Sequence, residues 1–149
     1  MEIRSARVAD AQAVNALLEE LGYVQAGQSA TADRIRCWLD DPAGAVYVSE
    51  ADGVVQGVIA VQVCRFFERE GSWGRVTALV VSGQARAHGV GSRLLAAAEA
   101  FAVGNGCVRM EVTSADRRSD AHAFYRGRGY VDQAGISSRF LHDLAPMAE

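Results

Sequence analysis

The residues with the clearest chemical meaning are Arg86, Gly89 and Gly91, set in Leu79-Val80-Val81-Ser82 … Arg86-Ala87-His88-Gly89-Val90-Gly91-Ser92. The run reads as a strand, a glycine-bearing turn and the start of an amphipathic helix. A helix N-terminus carries roughly half an elementary positive charge and unpaired N–H donors, so it holds phosphate without a basic side chain. The amides of His88, Gly89, Val90, Gly91 and Ser92 are the expected donors, and Arg86 adds charge from outside the turn. A side chain at Gly89 or Gly91 would obstruct the ligand or disallow the backbone angles. By itself Gly-x-Gly also describes an ordinary tight turn; the apolar strand before it, and Leu94 and Leu95 after it, favour the binding reading. A dinucleotide fingerprint would need glycine where Leu94 stands, and a P-loop would need Gly-Lys-Ser/Thr. Neither is present.

The other reactive residue types form no second constellation. His88 lies inside the turn and more naturally contributes its backbone; His122, two residues before Phe124, should face away from the Tyr125 side of its helix or pack at its edge; His142 has no partner in sequence, and no Ser-His-Asp or Cys-His logic is supported. The three cysteines, Cys37, Cys64 and Cys107, are far apart and match no metal-ligand or CxxC spacing. That pattern reads as reduced, mostly buried thiols in a cytoplasmic protein with no metal. No signal peptide or membrane span is visible. A net charge of -3, with no basic stripe, disfavours nucleic acid as a partner.

Elements that position the turn follow from periodicity. Residues 2–6 read as a strand, and Asp10 as the N-cap of a helix carrying Val14, Leu17, Leu18 and Leu21 on one face and closed by Gly22. A second helix is predicted over residues 31–40, broken at Asp41-Pro42. Residues 45–50 and 54–67 form a hairpin turned by Asp52-Gly53, and residues 72–81 the next strand. A helix over 90–103, a strand over 108–113, a short helix over 120–128 and strands over 130–133 and 137–144 complete the order. The 149 residues thus read as a single α/β domain, 1–149, with a mixed sheet of about seven strands and helices on both faces.

Arg86-x-x-Gly89-x-Gly91, the element order, and Ala121-His122-Ala123-Phe124-Tyr125 one strand downstream together resemble the GCN5-related N-acetyltransferase (GNAT) family. The resemblance spans nearly the whole chain and is motif-specific over residues 75–130. It implies acetyl-CoA as cosubstrate, with its pyrophosphate on the turn. Backbone groups of Leu79, Val80 and Val81 would line the pantetheine, on a bulged strand that splays from its neighbour. Tyr125 is placed where the family brings a phenol to the CoA sulfur. A phenol near pKa 10 is a weaker acid than a thiol near 8.5, an uphill proton transfer of about 2 kcal/mol. Tyr125 is therefore assigned as a hydrogen-bond donor to the developing thiolate; its alternative is a core tyrosine on a short helix.

Three positions depart from the family pattern. Arg118 stands where an asparagine is common, and would remake a cofactor contact with guanidinium. Gly127 replaces a basic residue, leaving Arg126 or Arg128 for the adenosine 3′-phosphate. Thr77-Ala78 offers no carboxylate where some relatives carry a glutamate base. The base is left open between Glu111 on the flanking strand, Glu68 and Glu70 beside Phe66-Phe67, and a water chain. Tyr23, Trp38, Phe66, Phe67 and Trp73, with nearby carboxylates, would suit a cationic, partly apolar amine, or are simply core and surface. The reading is an acetyl-CoA-dependent N-acetyltransferase acting on a primary amine of a small acceptor by direct attack in a ternary complex. Its alternatives are a non-catalytic acyl-CoA sensor, and an enzyme acting on protein N-termini or lysines. A homodimer through residues 137–144 is a further expectation.

Overall fold

The computed structural model describes residues 1–114 and 119–146. The backbone falls into two compact units, Met1–Val112 and Thr113–Glu149.

The first unit is a five-stranded sheet in the order β1-β2-β3-β4-β5. Strands β1 (Glu2–Ser5), β2 (Gly44–Ala51), β3 (Val54–Arg65) and β4 (Ser72–Val81) pair antiparallel, and β5 (Cys107–Val112) runs parallel to β4. The β2–β3 turn confirms the Asp52-Gly53 reading: both residues have positive φ, 51° and 76°, as a two-residue turn that matches strand twist requires. Helices α1 (Ala11–Glu20) and α2 (Gln28–Asp40) cover one face of the sheet. There Val14, Leu17 and Ile35 pack on Val46, Val48, Val58 and Val80. Helix α3 (Val90–Gly104) covers the other face through Val90, Leu94, Leu95, Ala98 and Ala102, all buried. Gly22 ends α1 at φ 89°, with its N–H on the Glu19 carbonyl.

Two of the expectations are corrected here. Asp10 stands at the N-cap position of α1, as expected, but its side chain does not cap the amides ahead of it. One turn of 3-10 helix, Val8–Asp10, precedes α1, and the Asp10 carboxylate reaches back to the Arg7 N–H at 2.7 Å. It also takes both terminal nitrogens of Arg4 at 2.9 Å each, while Arg4 Nε binds Glu50 at 2.7 Å. The cysteines are all free but not mostly buried: Cys37 is exposed on α2, and Cys64 and Cys107 are half-buried.

The second unit contains α4 (Ser119–Gly127) and an irregular segment after it. The strands expected over 130–133 and 137–144 do not form, so the sheet has five strands among the described residues and not about seven. Local hydrogen bonds win over a ladder. Asp132 accepts from the Ala134 N–H at 2.9 Å, the Ile136 and Ser137 N–H groups both turn onto the Gln133 carbonyl, and Gly135 sits at φ 81°. Val131, Ile136, Phe140, Leu141 and Leu144 are consequently exposed.

The Arg4 pair holds the Asp10 carboxyl below the usual carboxylate range, outweighing the opposing effect of burial. A depressed folded-state pKa contributes stability that is present above about pH 3.9, the unfolded value, and lost as pH falls through the folded one. Asp10→Asn is expected to cost about 1.5–3 kcal/mol at pH 7, because the two terminal nitrogens of Arg4 lose their charged acceptor while its Nε keeps Glu50. Urea unfolding at pH 7 and pH 3 should show that cost shrinking at the lower pH; an equal loss at both would refute the assignment.

Candidate active site

Strand β4 runs beyond its β5 neighbour. Their last register pair is Val76 with Val112, so residues 77–81 have no strand on that side among the described residues. On the β3 side, Ala60 pairs with Ala78 and Val61 with Val76, which leaves Thr77 as an extra residue in β4. This bulge rephases the strand. Gly74 and Val76 face α3 before it; Leu79 and Val81 face α3 after it.

The same register settles where the backbone groups point. The Ser82 N–H donates to the Gln56 carbonyl at 2.8 Å, and antiparallel pairs alternate between bonded and non-bonded. Val80 therefore turns its N–H and C=O to β3 and its side chain, 2% exposed, into the core. Leu79 and Val81 turn theirs to the open edge. Of the three residues picked from the sequence, these two offer groups to a ligand, and Val80 anchors the strand.

The chain then makes a turn over residues 83–89 and enters α3. Ala87 at φ 67° and Gly89 at φ 78° both sit in the left-handed region, which glycine adopts freely and alanine only under strain. A Cβ on Gly89 would meet nothing within 4 Å, so conformation, not space, demands glycine there. The first helical bond runs from the Arg93 N–H to the Gly89 carbonyl, and no side chain caps the helix. The Val90, Gly91 and Ser92 amides thus precede the intrahelical ladder, and the first turn holds no acid. Arg86 and His88 are exposed, and Arg86 forms no ion pair among the described residues. From the other side of the loop, the Glu20 carboxylate at the end of α1 accepts from the Gly83 N–H at 2.9 Å.

Sequence reasoning missed Gly57. A Cβ there would stand 2.9 Å from Leu94 Cδ1, 3.0 Å from Val90 Cγ1 and 3.1 Å from the Val80 carbonyl. Its absence lets the first turn of α3 settle on β3 beside the open edge. The signal was available: a lone glycine inside a strand pattern marks a close approach.

Glu111 lies on β5 opposite Arg75, one pair before the strands part. Its Oε1 accepts from Trp73 Nε1 at 3.4 Å and from Arg75 Nη1 at 3.5 Å, on the sheet face away from α3. Measured on β3, Gln62 (opposite Arg75) and Ile59 (opposite Leu79) are three residues apart, about 10 Å. A side chain plus a water or a small acceptor spans such a gap. Glu68 and Glu70 sit at the far end of β4, in a concave loop with Phe66 stacked 4.9 Å from Trp73 and Arg69 at 4.1 Å over Phe66. Arg65 opposite Ser72 is six residues from Ile59, about 20 Å, which takes both acids away from the open edge.

Tyr125 belongs to the second unit, on α4, half-buried between Phe124 (ring centroids 5.3 Å apart) and Tyr130 (5.9 Å). Its carbonyl accepts from the Arg128 and Tyr130 N–H groups and closes the helix. Arg118 lies outside the described residues.

The sequence profile of the acetyltransferase (GNAT) family matches residues 11–130. The chain belongs to this family. It is an acetyltransferase enzyme. An aminoalkylphosphonate N-acetyltransferase of Salmonella typhimurium (strain LT2) is 33% identical over 130 residues, covering 87% of this chain and 84% of that protein. Two solved structures share the fold at low identity. An aminoglycoside N-acetyltransferase in complex with CoA superposes with a TM-score of 0.83 at 16% identity, covering 97% of this chain and 95% of that one. Glucosamine-6-phosphate N-acetyltransferase from Arabidopsis thaliana gives 0.82 at 17% identity, covering 97% and 98%.

The Gly57 contact predicts a graded pair of variants. Gly57→Ala should destabilise the acetyltransferase by about 1–3 kcal/mol through overpacking under α3. Gly104→Ala, in open space at the other end of that helix, should raise stability by about 0.4–1 kcal/mol. Chemical denaturation of both checks the pair, and equal effects would remove the close-approach argument.

Proposed function

We propose that this acetyltransferase moves an acetyl group from acetyl-CoA to the primary amine of a small-molecule acceptor, by direct attack in a ternary complex. One observation carries the reading: the uncapped first turn of α3 stands beside a strand edge whose Leu79 and Val81 backbone groups have no β5 partner. The residues fit the cosubstrate. Five consecutive amides, His88 to Ser92, and the exposed Arg86 suit a pyrophosphate; the Leu79 and Val81 edge suits the amide groups of pantetheine.

When bound, the thioester supplies the acetyl group and the thiolate leaving group. The chain's own work is binding and proton management. Glu111, directly or through one water, takes the proton that an alkyl ammonium must lose, a step costing about 4–5 kcal/mol at neutral pH for a pKa near 10.4. Outward N–H groups on β4 polarise the carbonyl as nitrogen bonds to its carbon and the C–S bond breaks. On the family resemblance, Tyr125 is assigned as the hydrogen-bond donor to the departing sulfur, which gains one proton overall as the amine loses one. Arg118 is retained as a cofactor contact on the family resemblance. The aminoalkylphosphonate-acetylating relative supports a small amine as acceptor, and the CoA complex of a neighbour supports the cosubstrate.

Calorimetric titration with acetyl-CoA tests the reading, with Gly89→Glu placing a carboxylate where phosphate would sit. Wild-type binding abolished in the variant is expected; no binding by the wild type would overturn the proposal. For Tyr125→Phe, kcat should fall about 10–150-fold, the worth of a hydrogen bond to a charged group, with acetyl-CoA affinity within a factor of three. Unchanged kcat would remove Tyr125 from the chemistry.

A further inference from the structure

Arg75 and Glu111 face each other across β4 and β5 at 3.5 Å, at the long limit for an ion pair. Their side chains are 41% and 48% exposed, on the sheet face away from α3. Both contacts to the carboxylate, from Arg75 and from Trp73, fall on the same oxygen, Oε1. This is a loosely held pair: exposed cross-strand ion pairs contribute little, so a ligand that satisfies both charges displaces it at small cost. The position is also the right one, in the row of residues just before β4 and β5 part and about 10 Å short of Leu79.

We propose that Arg75 and Glu111 are the two halves of an acceptor subsite for a zwitterionic amine, one carrying a terminal anion a short carbon linker away from its ammonium. The inference rests on the acetyl-transfer reading and names the substrate class of that same site. Arg75 takes the anion through its planar guanidinium fork, the geometry that favours phosphonate, sulfonate or carboxylate oxygens over a neutral group. Binding of the anion pulls Arg75 from Glu111, and the freed carboxylate receives the ammonium and then its proton. Trp73 supplies an apolar wall for the short carbon linker, held in place by its indole N–H on Glu111 and its stack with Phe66. Before the acceptor arrives, the two side chains neutralise one another, so neither charge is left unpaired beside the open edge. An amine without the anion leaves the Arg75–Glu111 pair intact and binds poorly.

The test compares 2-aminoethylphosphonate, 2-aminoethanesulfonate and β-alanine with n-propylamine, by thiol release with acetyl-CoA and by calorimetric binding of each amine alone. Wild-type kcat/KM should favour the three zwitterions over propylamine by about 100-fold, and that ratio should collapse toward unity in Arg75→Met. Arg75→Lys, which keeps the charge and loses the fork, should recover part of the ratio, most for the carboxylate. Equal use of propylamine and the zwitterions, or a ratio untouched in Arg75→Met, overturns the subsite while leaving acetyl-CoA binding and transfer standing. If no amine is acetylated, calorimetry decides: 2-aminoethylphosphonate binding lost in Arg75→Met supports the subsite, and no binding overturns it. Failure to bind acetyl-CoA, read separately, overturns the parent reading.

Discussion

Helix α3 has to bring its first turn down onto the sheet and still leave that turn's N–H groups uncovered, and Gly57 meets the first demand. With Leu94 and Val90 already within about 3 Å of where a Cβ would stand, the helix rests directly on β3. Any side chain there would lift the N-terminus off the strand edge it serves. Gly89 meets the second demand. Its left-handed backbone turns the chain into the helix without a capping side chain, so the donors that a serine or aspartate would satisfy stay available. Geometry that makes a weak helix start makes a strong anion site.

The parting of β4 and β5 is the other half of the arrangement. A parallel pair that continued to Val81 would consume the outward N–H and C=O groups of Leu79 and Val81 in ladder bonds. Pairing stops at Val76 and Val112, and the Thr77 bulge follows immediately. The bulge also exchanges which residues face which helix layer. Arg75 and Trp73 share a face with Glu111 ahead of the bulge, and because of the bulge Leu79 and Val81 face α3 instead. Exposed polar side chains and outward backbone groups thus come from one strand without competing for the same side.

Long-range polar contacts hold this frame. Arg4 joins β1 to β2 and to the turn entering α1 through Asp10 and Glu50, and Glu20 at the far end of α1 holds the Gly83 amide. Helix α1 is therefore tied at one end to the edge of the sheet and at the other to the loop that leads into α3. The charges are nearly dry in the first case, where the Arg4 and Asp10 side chains are 13% and 9% exposed, and the geometry is correspondingly specific.

Local chemistry made much of this legible in the amino-acid sequence. Asp52-Gly53 can be little other than a hairpin turn, Gly22 ends a helix whose apolar stripe is plain, and Arg86, Gly89 and Gly91 mark a strand-to-helix turn within six residues. These depend on φ preferences and on periodicities of 2 and 3.6, which operate over a few residues. What remained hidden depends on partners distant along the chain. Asp10 looks like a cap until Arg4 and Glu50 converge on one another, and residues 130–144 look like strands until Asp132 and Gln133 claim their amides. The bulge at Thr77 is invisible because register is a property of two strands. The sequence by itself determined the family, the order of elements from β1 to α4 and the glycine-bearing turn between β4 and α3. Tertiary structure alone decided that Leu79 and Val81 face an open edge, that Gly57 seats α3, and that Arg75 meets Glu111, since each is a contact between segments whose meeting no local preference encodes.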